Sequence, residues 1–81
     1  MSKTLDVLKR LKVVGFDRDK ITMIELHNLL MQCKLIYKWQ RKDWIKFLIA
    51  NEYLQQDENN DQIFNLNRTK VVEEVDKIAM Q

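Results

Sequence analysis

The sequence contains no proline, one glycine and one cysteine. Since proline and glycine are the residues that most often end regular structure, their scarcity favours helices. Cys33 has no second cysteine to pair with, so no internal disulfide can form, and an intracellular setting is the simplest interpretation. We interpret Cys33 as a small apolar residue that closes a helix end.

Long apolar runs are also missing, which excludes a membrane-spanning segment. Residues 1–6 lack the apolar stretch and cleavage site of a secretory signal, so a cytoplasmic location is expected. No glycine-rich phosphate loop, metal-ligand set or paired nucleophile and base is present. The sequence therefore predicts neither an enzyme nor a bound cofactor or metal, and the lone His27 is expected to be structural or exposed.

With 81 residues, 46% of them hydrophobic and 32% charged, the chain is long enough for one modest core. Its net charge of +2 is unevenly distributed. Residues 1–50 hold eleven lysines and arginines against five acidic residues, whereas residues 51–81 hold three against seven. Between Lys34 and Lys46, five cations accompany a single anion, Asp43. Such a basic patch is what binding to a phosphate backbone requires.

The first predicted helix runs from about residue 4 to residue 14, where apolar residues cover nearly half of its circumference. A face of that breadth is typical of a helix that packs against more than one neighbour. Gly15 is expected to end this helix in the left-handed conformation, which glycine adopts without steric cost. Phe16 is then expected to fold back on the core.

The second predicted helix begins with a capping box, Thr22 to Glu25. The Thr22 hydroxyl can accept a hydrogen bond from an early backbone N–H group, and the Glu25 side chain can reach back to another. Ile21 is expected to add a strand residue just before this cap. The inward side chains at helical spacing are Leu26, Leu29, Leu30 and Cys33. Ile24 and Met31 are expected to be exposed.

The third predicted helix spans residues 37–51 and has two different faces. Steps of about 100° per residue place a group of side chains on the core side, namely Tyr37, Gln40, Trp44, Phe47, Leu48 and Asn51. Lysines recur one turn apart on the opposite side, at Lys38, Lys42 and Lys46. Trp39 lies beside them. Either it is exposed for a ligand or partner, or the register is displaced by one residue and Trp39 packs in the core.

Two short strands are predicted directly after this helix, at residues 53–56 and 62–66. The polar residues 57–61 between them are typical of a tight hairpin loop. Period-two alternation directs one set of side chains to the core, namely Leu54, Phe64 and Leu66. Gln56 and Asn65 are expected to face water.

A last helix is predicted over about residues 69–80. Its apolar stripe consists of Val71, Val72, Val75, Ile78 and Ala79. The stripe either closes the back of the same domain over the first helix or pairs with its copy in a second chain. The predicted homodimer contacts are Leu5, Val71, Val75 and Ile78.

The predicted elements come in the order of a helix, a capped helix, a turn, a third helix and a hairpin. This order resembles that of the winged helix-turn-helix family. The resemblance covers residues 4–66 and rests on the Thr22 to Glu25 cap and on the spacing of the apolar residues, chiefly Leu26, Leu29, Leu30, Trp44, Phe47 and Leu48. It implies a mainly α fold with a small β-hairpin wing, in a single domain of residues 1–81. The C-terminal helix, residues 68–81, would be an addition to the three helices and wing.

The resemblance implies a protein that binds double-stranded DNA, most simply a small transcriptional regulator associated with the nucleoid. Helix 37–51 would enter the major groove. The residues assigned to DNA are Lys34, Tyr37, Lys38, Trp39, Gln40, Arg41, Lys42 and Lys46. A homodimer would double the cationic surface and fix the spacing of two half-sites.

The chain departs from the family at two places. The turn at residues 33–36 lacks glycine, and the hairpin tip carries Asp57, Glu58 and Asp61, which would repel phosphates. A second hypothesis is therefore a winged helix that binds a protein partner, with the acidic wing as one contact. A third is a structural subunit of a nucleoprotein assembly that binds DNA without sequence preference.

Overall fold

The computed structural model describes residues 3–33 and 36–80. Within these ranges the chain is mainly α-helical with one small antiparallel sheet, as predicted. The elements in chain order are α1 (Lys3–Val14), β1 (Lys20–Thr22), α2 (Met23–Met31), a 3-10 turn (Lys38–Gln40), α3 (Arg41–Ala50), β2 (Leu54–Gln56), β3 (Ile63–Leu66) and α4 (Arg68–Ala79). None of the described helices combines the length and apolarity needed to cross a membrane.

The sheet has the strand order β1-β3-β2, with both pairings antiparallel. The predicted hairpin is thus extended by β1, the short strand expected at Ile21. Leu54, Phe64 and Leu66 are buried, as the alternation predicted. Asn65, expected to face water, is half-buried, because its central strand has a neighbour on either side.

The capping box predicted at the start of α2 is present. The Glu25 backbone N–H donates to Thr22 Oγ1 at 3.2 Å, and the Thr22 backbone N–H donates to Glu25 Oε1 at 3.1 Å. The hydrogen bond from the Thr22 backbone N–H to the Glu25 carboxylate lowers the pKa of Glu25 below its usual 4.5, and the adjacent Arg18 guanidinium acts in the same direction. Beyond the end of α2, Cys33 is buried, and this burial raises the pKa of its thiol to about 11. Cys33 is therefore the small apolar residue that the sequence predicted.

Helix α1 ends where predicted, but not because Gly15 adopts a left-handed conformation. The described backbone contains no glycine with positive φ. An added Cβ at Gly15 would instead lie 2.8 Å from Leu66 Cδ2, so any larger residue would require the Leu66 side chain to shift. The chain continues its helical turn, with the Phe16 N–H donating to the Val13 carbonyl at 3.3 Å. Phe16 therefore follows the exposed face of α1 and is 84% exposed, so its predicted return to the core is wrong.

The C-terminal helix packs against α1 within the same chain. Val71 and Val75 are buried, and Leu5 and Ile78 are half-buried against the same core. Closure of the domain over α1, the first alternative for the valine stripe, is therefore the arrangement found. A homodimer stays a prediction, and contacts through Val71 or Val75 would require this core to open.

Candidate nucleic-acid interface

The third helix begins later than predicted. A 3-10 turn, Lys38–Gln40, comes first, and α3 begins at Arg41. Two hydrogen bonds between Tyr37 and Gln40 close the turn. The Tyr37 N–H donates to Gln40 Oε1 at 3.0 Å, and the Gln40 N–H donates to the Tyr37 carbonyl at 2.9 Å. Because a 3-10 helix has three residues per turn, α-helical spacing cannot be extrapolated back through these positions.

The inward face of α3 also differs from the predicted one. Ile45 and Leu48 are buried, and Trp44 is half-buried against the core. Tyr37 and Phe47, both expected inside, are 61% and 38% exposed. The prediction followed the spacing of the aromatic residues, whereas an aliphatic pair three residues apart fills the core. Ile45 is the buried residue of α3 that the sequence did not predict.

The three lysines predicted on the outer side of the third helix are exposed in the structure. Lys38, Lys42 and Lys46 are exposed, and none of them makes an ion pair with a residue that the structure describes. Arg41 is half-buried, and its Nε atom is buried without a hydrogen-bond partner in the described chain. Lys34, also assigned to DNA, lies outside the described residues. Three exposed ammonium groups are therefore available on α3 and the turn before it.

Two exposed aromatic residues flank Lys38 in the chain. The rings of Tyr37 and Trp39 are parallel, with an interplanar angle of 1° and centroids 6.4 Å apart. Trp39 is 75% exposed, so the alternative that placed it in the core is wrong. Trp39 is thus exposed, as the other alternative had it, and it follows Lys38 in the chain.

A shallow groove of about 250 Å³ runs along this side of α3. Its lining consists of Trp39, Gln40, Asp43, Trp44 and Phe47. Trp44 and Phe47 pack edge to face, with centroids 5.5 Å apart. This groove was not predicted from the sequence, because most of these side chains were expected in the core. Asp43 adds one carboxylate to a lining that is otherwise apolar or neutral.

The end of α3 is held by a lysine of α4. The Lys70 ammonium donates to the Asn51 carbonyl, lies 3.8 Å from Glu52 Oε2 and is 5.3 Å from the centroid of the Tyr53 ring. A cation is favourable at a helix C-terminus, where unpaired carbonyls point outward. Asn51, expected inside the core, is exposed, and its side-chain amide donates to the Phe47 carbonyl at 2.9 Å.

The hairpin tip is acidic in space as well as in sequence. Glu58 and Asp61 are exposed, and Asp57 is half-buried. The tip is tied to the start of α2, because the Met23 N–H donates to the Gln62 carbonyl at 2.8 Å. The loop contains no lysine or arginine, so it offers carboxylates alone as charged groups.

Among the residues that the structure describes, no group of three or more histidine, cysteine or acidic side chains could hold a metal ion. No protein-family model, curated protein or solved structure matches the chain. The function must therefore be inferred from the surface of the molecule itself.

Proposed function

We propose that the chain is a winged-helix protein that binds double-stranded DNA with α3 in the major groove. The observation that carries this proposal is the row of exposed lysines, Lys38, Lys42 and Lys46, which make no ion pair within the described chain. Ammonium groups without internal partners lose no protein contact when they bind phosphates. The release of counterions from the DNA then favours association.

The dimensions and order of the elements support this role for α3. Its ten residues span about 15 Å. A helix with its side chains is about 10–12 Å across, close to the width of the major groove, about 12 Å. Two helices precede α3 and a hairpin follows it, the order in which a winged helix-turn-helix presents its recognition helix and wing. In this proposal the protein is a small transcriptional regulator.

The hairpin limits how the domain can approach DNA. Glu58 and Asp61 would meet phosphates with like charge, and the tip has no cation to offset them. The proposed complex therefore places α3 in the groove and keeps the tip away from the backbone.

The test replaces Lys38, Lys42 and Lys46 together with alanine. Each phosphate contact contributes about 0.9 to the slope of log K against log salt. If all three lysines contact phosphates, the triple variant should bind mixed-sequence duplex more weakly, with a slope smaller by about 2.7. Fluorescence anisotropy of a labelled duplex over a salt series measures both quantities.

A matched control removes the same charge elsewhere. Lys9 and Lys12 on α1 and Lys77 on α4 are exposed and lie outside α3. Their triple alanine variant has the same net charge as the α3 variant and should keep the wild-type salt slope within about 1. Equal slopes in the two variants would show that net charge, and not α3, governs binding.

A second candidate function is protein binding. Trp39 is 75% exposed beside an apolar groove, and the wing is acidic. Large exposed aromatic side chains are enriched where proteins meet partners. This function predicts negligible affinity for duplex DNA even at low salt, which the same titration of the wild-type chain would reveal.

A further inference from the structure

We propose that the surface at the start of α3 binds unpaired bases of a nucleic acid, with Tyr37 and Trp39 as stacking surfaces. The inference rests on the proposed function, since it adds a ligand preference to the same cationic surface. Its basis is the joint exposure of two aromatic rings at 61% and 75%. Exposed rings of this size lose contact with water when a flat apolar partner covers them.

The orientation of the two rings suits flat partners. Because their planes differ by only 1°, a base that stacks on Tyr37 lies parallel to one that stacks on Trp39. In paired B-DNA the faces of the bases are covered by their neighbours, and the grooves present base edges only. Aromatic rings that bind bases by stacking are therefore matched to bases outside a continuous duplex stack.

The charges around the rings favour a nucleic acid over an apolar peptide. Lys38 lies between Tyr37 and Trp39 in the chain, and Lys42 follows four residues later. Both lysines are exposed and make no ion pair with described residues. Aromatic rings interleaved with unpaired cations are the arrangement with which proteins bind the bases and phosphates of a single strand.

The carboxylate of Asp43 is compatible with a nucleic-acid ligand when a base, and not the phosphate backbone of that ligand, occupies the groove. Its carboxylate lines the groove with Trp39 and Phe47 and would repel a phosphate placed there. A carboxylate accepts hydrogen bonds from the amino groups of bases, such as N4 of cytosine. The phosphates would then lie outside the groove, towards the exposed lysines.

The experiment compares three labelled probes of one sequence: a full duplex, the same duplex with an internal bubble, and the single strand. Stacking on one aromatic side chain changes affinity about tenfold. The wild-type chain should therefore bind the bubble and the single strand about tenfold more tightly than the duplex. The Trp39→Ala variant should lose most of this preference, and Tyr37→Ala should lose part of it. Circular dichroism melting checks that the variants are folded, as the exposure of both side chains predicts.

Phe16→Ala is the matched control, because Phe16 is an even more exposed aromatic residue, at 84%, and follows α1. The Phe16→Ala variant should bind all three probes with the affinity of the wild-type chain. A second measurement uses Trp44→Phe, which leaves Trp39 as the single tryptophan. Stacked bases should then quench the fluorescence of Trp39 more strongly in the single-strand complex than in the duplex complex.

The outcomes separate this inference from the proposed function. Equal affinity for the three probes, or an equal loss on all of them in Trp39→Ala, overturns the inference while duplex binding stands. Binding to the single strand alone supports the inference and overturns the double-stranded proposal. If the wild-type chain binds none of the probes at low salt, both are overturned.

Discussion

Helices α3 and α4 are both two-faced, but they differ in the side chain that stays partly exposed, which is Val72 on α4 and the aromatic Phe47 on α3. On α4 the valines at positions 71 and 75 are buried against α1, so its main apolar residues serve the fold. On α3 the aliphatic pair Ile45 and Leu48 is buried, while Phe47 remains partly exposed. An apolar stripe thus predicts that a helix packs against the core. Which of its side chains are buried depends on the space that the neighbouring elements leave.

The charges of the two helices differ in the same sense. Lys70 of α4 is engaged within the chain, because it contacts the carbonyl of Asn51 and the ring of Tyr53. Lys42 and Lys46 of α3 have no ion-pair partner among the described residues. Lys70 of the structural helix is therefore used internally, whereas its Lys77 and the lysines of the candidate binding helix have no ion-pair partner among the described residues.

The largest effect is expected when the buried side of α4 is made charged. Val71→Asp would place a carboxylate where the valine is 1% exposed and has only apolar neighbours in the core. A buried carboxylate without a partner costs about 3–5 kcal/mol, a large part of the stability of a small domain. Urea denaturation followed by circular dichroism should show most of the cooperative transition lost or shifted to low urea.

The adjacent residue gives the matched control. Val72 is 37% exposed, so the aspartate in Val72→Asp can remain in water. We expect a cost below about 1 kcal/mol there. Similar losses in the two variants would contradict the assignment of α4 as a helix packed on α1.

Features governed by nearby residues were predicted well from the sequence. The capping box from Thr22 to Glu25, the hairpin strands and the limits of α1 and α4 depend on local spacing, and the structure shows them close to their expected positions. The exposure of Lys42 and Lys46 was also predicted, because a repeat of four residues keeps side chains on one side of an α-helix.

Features that depend on tertiary contacts were predicted less well. The 3-10 turn before α3 changes the angular spacing, so Tyr37 was placed inside although it is exposed. The role of Gly15 comes from Leu66, which is distant in sequence. The groove beside Trp39 could not be foreseen, because it forms only when Ile45 occupies the core in place of the aromatic residues.

A smaller effect is expected at the contact that joins the two helices. Lys70→Met keeps the length of the side chain but removes its hydrogen bond to the Asn51 carbonyl and its favourable position at the end of α3. We expect a loss of about 1–2 kcal/mol, measured by urea denaturation. Faster amide hydrogen exchange at Glu52 and Tyr53 should accompany it. Lys9→Met, on the exposed face of α1, should change neither, and equal effects in both variants would exclude the capping role.

The smallest effect is expected at the residue that ends α3. Glu52 has φ of 64°, and the N–H groups of Glu52 and Tyr53 donate to the carbonyls of Ile49 and Leu48, each at 3.0 Å, which is a Schellman motif. Glycine adopts this left-handed conformation without the steric cost that glutamate meets, although it loses more chain entropy on folding. Glu52→Gly should therefore stabilise the protein by about 0.5 kcal/mol net, measured as a higher urea midpoint. Glu52→Ala removes the same exposed contact with Lys70 but keeps a Cβ, so it should be less stable than Glu52→Gly. If the alanine variant were the more stable of the two, backbone strain at the end of α3 would not be the controlling term.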